Sequence, residues 1–187
     1  GQSTVIEAAR LLDQTGRFGN ALVVLAGDAQ GRDAYRRQLE AEIEAAGLAG
    51  KVILPGHVDD VAAALAVAHL AIVASTEPEA FGRVGTEAQV MSCPVIATNI
   101  GAPPETVAAP PKYPATEATG WLVPPGDAER LASAMAEALS LDPAARQALG
   151  ARARTRVLTH FSLDAMRRQT LAVYDRLLGT RLEGAYK

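Results

Sequence analysis

Glu79 and Glu87 stand eight residues apart in the segment Glu77-Pro-Glu-Ala-Phe-Gly-Arg-Val-Gly-Thr-Glu87. Ionised carboxylates only accept hydrogen bonds, so two of them suit a ligand rich in hydroxyl groups. Between them lies Phe81-Gly82-Arg83-Val84, where a glycine lets a ligand approach the main chain closely. Leu70-Ala-Ile-Val-Ala74 precedes the segment as an apolar run of strand length, and Arg83 to Met91 after it has helical composition. The loop therefore joins the carboxyl end of a strand to a helix N-terminus. In an α/β sheet that edge binds ligands, because unpaired N–H groups and the helix dipole attract anions. A diphosphate would meet the amides and polyol hydroxyls would meet the carboxylates, a combination that a nucleotide sugar offers. The simpler reading makes both acids solvated helix-end residues, favourable there by about 0.3–1 kcal/mol.

Other strand ends carry weaker candidates. Gly27-Asp28 closes an apolar run and leads through Ala29-Gln30-Gly31 to a helix. This is not the dinucleotide turn Gly-x-Gly-x-x-Gly, since Ala29 and Arg32 stand where further glycines are needed. A tight strand-to-helix turn with Asp28 near a helix start is the competing reading. In Pro55-Gly-His-Val-Asp-Asp60, Asp59 or Asp60 is a helix cap. The three histidines, His57, His69 and His160, show no metal-ligand spacing, so no metal site is expected. Ser92-Cys93-Pro94 lacks the Gly-x-Ser-x-Gly elbow, and there is no P-loop. The acidic pair with its amide-rich loop is the enzyme constellation left.

The elements that must position it alternate along the chain. Strands are expected at Ala21–Ala26, Val52–Leu54, Leu70–Ala74, Pro94–Thr98 and Trp121–Val123, with helices between them at Ser3–Gln14, Arg32–Ala46, Val58–Ala66 and Arg83–Ser92. Asp127 caps a helix over Ala128–Ser140, Asp142-Pro143 opens one through Leu158, and Ser162 caps one to about Leu178. Such alternation predicts an α/β fold, a Rossmann-like doubly wound parallel sheet with helices on both faces. Three helices follow the last strand, so at least one, residues 162–178, should pack outside the core. The stretch Ala108–Thr119, with three prolines, is expected as a surface loop, and Gly184–Lys187 as a frayed end.

The chain's 187 residues, 49% hydrophobic and 21% charged, fit one domain with a full core, and 4% aromatics make that core aliphatic. A net charge of −3 and the lack of a basic stripe argue against nucleic acid. Arg146, Arg152, Arg154 and Arg156 form the densest positive cluster, read as a solvated outer helix face, with anionic-membrane contact as the minor alternative. A single cysteine rules out an intrachain disulfide and points to a reducing cytoplasm; Cys93 itself reads as buried. No run reaches the roughly 18 apolar residues of a membrane span. The chain opens at Gly1 inside a helical pattern, and is read as a fragment.

The order and spacing of Ser75-Thr-Glu-Pro-Glu-Ala-Phe-Gly-Arg-Val-Gly-Thr-Glu-Ala88, Cys93-Pro-Val-Ile-Ala-Thr98, Gly101-Ala-Pro-Pro-Glu105 and Gly120-Trp-Leu-Val-Pro-Pro-Gly-Asp127 closely resemble the C-terminal domain of retaining GT-B glycosyltransferases of family 4 (glycosyl transferases group 1). The resemblance runs from Gly1 to about Leu178. It implies that residues 1–187 are a single nucleotide-sugar-binding domain, one half of a GT-B fold, whose acceptor-binding N-terminal domain is absent. It implies that Glu79 is the catalytic-site acid, holding sugar hydroxyls and developing charge, and that Glu87 holds the ribose. By the same resemblance, the Phe81-Gly82-Arg83-Val84 backbone takes the diphosphate or sugar, Gly27 lets the nucleotide close, and Val58 and Asp60 meet the base. No metal or other cofactor is required. The family's diphosphate-binding Arg and Lys would lie just before Gly1, so the chain alone is expected to be inactive. Ala102 departs from the glycine usual in the family. A nucleotide-sugar epimerase and a non-catalytic nucleotide-binding module are the competing readings.

Overall fold

A computed structural model describes residues 1–186. The elements run α1 (Gln2–Gln14), β1 (Val23–Ala26), α2 (Asp33–Ala45), β2 (Val52–Gly56), α3 (Val61–Val67), β3 (Ala71–Val73), α4 (Arg83–Val90), β4 (Val95–Thr98), α5 (Pro103–Thr106), β5 (Gly120–Val123), α6 (Ala128–Ser140), α7 (Pro143–His160), α8 (Leu163–Leu178) and α9 (Leu182–Ala185). All five expected strands and seven expected helices form. The single helical turns α5 and α9 were not foreseen, and α9 takes up much of the expected frayed end, of which Lys187 lies outside the described residues. Side-chain caps set several starts: Asp60, Asp127, Asp142 and Ser162 each accept the N–H three residues on, from Ala63, Arg130, Ala145 and Ala165. Capping by Asp60 moves the start of α3 from Val58 to Val61.

Every strand pairing is parallel, as the α/β class requires. The strands nevertheless form two pieces, β1–β2 and β3–β4–β5, in place of one continuous sheet. Among the described residues, no strand joins β1 to β3. In the larger piece, β4 is central and buried along its whole length. Its side chains alternate faces: Ile96 enters a cluster with Val5, Ala8, Leu12, Leu131 and Met135 of α1 and α6, whereas Val95 and Ala97 enter one with Ala88 of α4, Cys93 and Val107. In the β1–β2 piece, Val52 packs with Leu39 and Ile43 of α2, but Val24 and Ile53 are exposed, so helices cover one face only.

The last helices differ in role. α6 packs on α1, α7 packs on α4, and α8 buries no residue. Three of the four late arginines do more than face solvent, although Arg154 remains exposed. Arg152 Nε donates to Ala118 O (3.1 Å), Arg154 donates to Val90 O, and Arg156 donates to Glu105 O (2.9 Å) and lies over the Tyr113 ring. Carbonyls at the end of α4 and in the 105–118 region lack helical partners, and the guanidinium donors satisfy them. The proline-rich loop is likewise tied down at its base: Thr119 N–H donates to Ala108 O (2.8 Å), and Ala108 N–H donates to the Thr119 hydroxyl (2.9 Å).

Candidate functional site

The carboxyl ends of β1, β2, β3 and β4 share one edge, and the expected site residues lie along it. Thr98, the last residue of β4, donates its hydroxyl to Ser75 O (2.8 Å), fixing the start of the loop after β3. The Ser75 hydroxyl then donates to the Glu79 carboxylate. The main chain of Glu79 forms an isolated parallel bridge with Gly101, and Ala102 N–H donates to Glu79 O at 3.0 Å. Glu79 is thus held by its side chain from one strand end and by its backbone from the next. Gly101 has φ +70°, and a Cβ there would lie 2.6 Å from both N and O of Glu79. Only glycine allows so close an approach. Ala102, by contrast, has ordinary right-handed backbone (φ −76°, ψ −29°), so the departure from glycine there is free of strain.

Gly82 is the N-cap of α4 in the left-handed conformation (φ +69°, ψ 57°). This turn aims the start of α4 back at the loop: a Cβ on Gly82 would lie 3.2 Å from a Glu79 carboxylate oxygen. Arg83 and Val84, the first residues of the helix, have N–H groups that no preceding turn can accept. Glu87 follows one turn later, exposed and paired with Arg83 at 3.1 Å, an i,i+4 contact worth about 0.3–0.5 kcal/mol. Phe81 is 44% exposed, and its ring meets the edge of Phe161 with centroids 6.4 Å apart, joining the loop to the end of α7.

Glu79, Val84 and Gly27 line one groove of about 370 Å³ between β1 and β3. Gly27 directly follows β1, its N–H donating to Gly56 O at 2.9 Å. Phe81, Gly82, Arg83 and Glu87 flank the groove at the start of α4. Val58 and Asp60 do not line it; they follow β2, and the Asp60 carboxylate is engaged in capping α3 through Ala63 N–H (2.8 Å). Sequence reasoning missed Ser75, Thr98 and Gly101 as positioning residues. Ser75 and Gly101 lie within the recognised segments, but nothing local shows that they meet Glu79. Among the described residues, no group of three or more His, Cys, Asp or Glu side chains comes together as a cation site, and no helix is long and apolar enough to cross a membrane.

A carboxylate held by a hydroxyl beside uncapped helix amides, with a second acid one turn along the helix, can accept hydrogen bonds from a polyol while the amides meet an anion. Comparison with known proteins agrees in kind. Residues 1–156 match the family described as glycosyl transferases group 1. The chain is 32% identical over 147 residues to the lipopolysaccharide core biosynthesis mannosyltransferase LpcC of Rhizobium leguminosarum bv. viciae, covering 78% of the chain and 39% of that protein. It is similar to a glycosyltransferase structure from Rickettsia africae ESF-5 (30% identity, TM-score 0.83), over 97% of this chain and 45% of that one. It is also similar to the C-terminal domain of a glycosyl transferase group 1 family protein (LpcC) from Francisella tularensis (27% identity, TM-score 0.71), over 87% and 80% of the two chains. The chain therefore spans less than half of the first two relatives.

Proposed function

The chain belongs to the glycosyl transferases group 1 family, and on that premise we propose that it is the C-terminal, donor-binding half of a retaining GT-B glycosyltransferase of family 4. The observation that carries this reading is the mounting of Glu79: its carboxylate takes the Ser75 hydroxyl and leans toward Gly82 at the start of α4. The amides of Arg83 and Val84 take the diphosphate of an NDP-sugar, where the helix dipole favours negative charge. Glu79 accepts hydrogen bonds from the sugar and faces the positive charge that develops on the ring as the bond to the diphosphate breaks. Glu87 leaves Arg83 and accepts the ribose hydroxyls. Gly27 admits the nucleotide at the end of β1, and Val58 and Asp60 border the base.

No metal or other cofactor is assigned a step. The acceptor binds on the other half of the enzyme, so this chain alone transfers nothing. The lone, buried Cys93 suits a cytoplasmic setting, and any contact with a membrane surface would be peripheral. The test is a thermal-shift panel of UDP, GDP, ADP and their sugars on the full-length enzyme. One nucleoside diphosphate and its sugar should raise the melting temperature. No shift with any of them would remove the donor-binding reading. Product analysis by NMR checks retention, and an epimer formed from NDP-sugar alone would point to an epimerase instead.

A further inference from the structure

A second recess lies between α7 and the proline-rich loop, with a volume of about 450 Å³ and no lining residue in common with the groove beside Glu79. Arg152, Thr155, Arg156, Thr159 and His160 line it from α7. Steps of three and four residues put them on one face of the helix. Tyr113, Thr116 and Glu117 line it from the loop, together with Thr119, which is only 2% exposed.

These walls hold donors that the fold itself does not use. Arg152 is anchored through Nε alone, to Ala118 O at 3.1 Å, which leaves both of its Nη groups. Arg156 is fixed through one Nη, to Glu105 O and the Tyr113 hydroxyl, and its Nε is buried without a partner. Among the described residues, neither guanidinium forms a salt bridge. A helical threonine commonly donates its hydroxyl to the carbonyl four residues back, as Thr170 does to Met166 O; Thr155 and Thr159 make no such bond. The Thr119 hydroxyl accepts from Ala108 N–H and keeps its own proton to give. Two cations without acidic partners thus share one recess with a set of threonine hydroxyls, and Glu117 is the acid among the lining residues.

We infer that this recess binds a sugar phosphate, with the phosphate monoester on Arg152 and Arg156. Two guanidinium forks can share the three terminal oxygens of a phosphate dianion, whereas a carboxylate monoanion leaves one fork unmatched. The volume is that of a small-molecule site and exceeds what a phosphate ion alone would fill. Thr155, Thr159 and Glu117 then accept hydrogen bonds from the sugar hydroxyls. None of the lining residues is leucine, isoleucine, valine, phenylalanine or tryptophan, so the recess has no apolar side to enter a bilayer.

Calorimetry on the full-length protein tests this without any nucleotide, so its outcome is separate from that of the donor-binding reading. Glucose 6-phosphate should bind with a Kd of about 1 mM or lower, and about tenfold or more tightly than glucose or glucuronate. Thr155→Glu puts a negative charge at an exposed position of α7, where folding tolerates it, and should weaken that binding by about tenfold or more. Arg152→Gln, which keeps an N–H for Ala118 O, should weaken it likewise. Gly82→Val, in the loop beside Glu79, should leave it unchanged. No binding at about 10 mM, equal binding of glucuronate, or full affinity in Thr155→Glu overturns the inference. So does loss of binding in Gly82→Val, which would place the phosphate in the groove beside Glu79. Binding to vesicles containing phosphatidic acid with none to glucose 6-phosphate would give the arginines to a membrane and overturn it equally.

Discussion

Gly101 and Glu79 touch backbone to backbone across the ends of β4 and β3, with room for no atom between them. A Cβ on Gly101 would lie 2.6 Å from two main-chain atoms of Glu79, and the left-handed φ of +70° disfavours any side chain. The loop that carries the acid is therefore located by a glycine outside it. Gly101→Ala should cost about 2–4 kcal/mol of stability, combining overpacking with left-handed strain. Denaturant unfolding checks this; a loss below the strain of the backbone alone would mean that the contact is slack.

Gly82→Val tests the second support of Glu79. The new side chain would carry φ +69° and press on the Glu79 carboxylate and Pro103. In the full-length enzyme, donor binding should be abolished, with about 1–2 kcal/mol lost from folding. Unchanged affinity for the NDP-sugar, measured by calorimetry, would show that the loop does not meet the ligand.

α8 contributes nothing buried, and Leu163, Met166, Tyr174 and Leu177 are each more than half exposed. Ending the chain at Ser162 should therefore change its unfolding free energy by no more than about 1 kcal/mol, the scale of a few surface changes. A larger loss would show that the stripe is covered in solution.

Cys93 lies under β4 with 2% of its surface exposed, and burial pushes its thiol up to about 11 from 9.0. The folded state holds the proton more tightly than the unfolded chain. Its contribution is complete below about pH 9 and is lost as pH rises toward 11. The loss should be about 2 kcal/mol, since each tenfold difference in proton affinity between the two states is worth about 1.4 kcal/mol. Urea unfolding at both ends of that window, compared with Cys93→Ala, checks it: equal pH slopes in the two proteins would contradict tighter proton binding in the folded state.

The strands and helices were legible because apolar runs and caps are local signals: Asp127, Asp142 and Ser162 announce their helices in the sequence itself. Pairing is not local. Nothing in Ala21–Ala26 or Leu70–Ala74 shows that β1 and β3 do not pair with each other among the described residues, since pairing depends on partners distant in sequence. Arg152, Arg154 and Arg156 misled for a related reason. Charge predicts a solvated face unless backbone carbonyls await it, and those carbonyls lie 34 to 64 residues away in sequence. At the site, Glu79 and Glu87 stood out by type and spacing. Thr98, whose hydroxyl reaches Ser75 O from a strand 23 residues on, did not.

The central claim is that the two acids serve opposite ends of one donor, and single substitutions in the full-length enzyme separate them. A ribose contact at Glu87 is the same before and during transfer, so its loss weakens binding with little effect on kcat. Glu87→Ala should reduce calorimetric affinity for the free nucleoside diphosphate by about 1.5–3 kcal/mol, the scale of a hydrogen bond to a charged group. Glu79→Ala should leave that affinity nearly unchanged and slow transfer far more. Equal losses of diphosphate affinity in the two variants, or full activity in Glu79→Ala, would contradict the account.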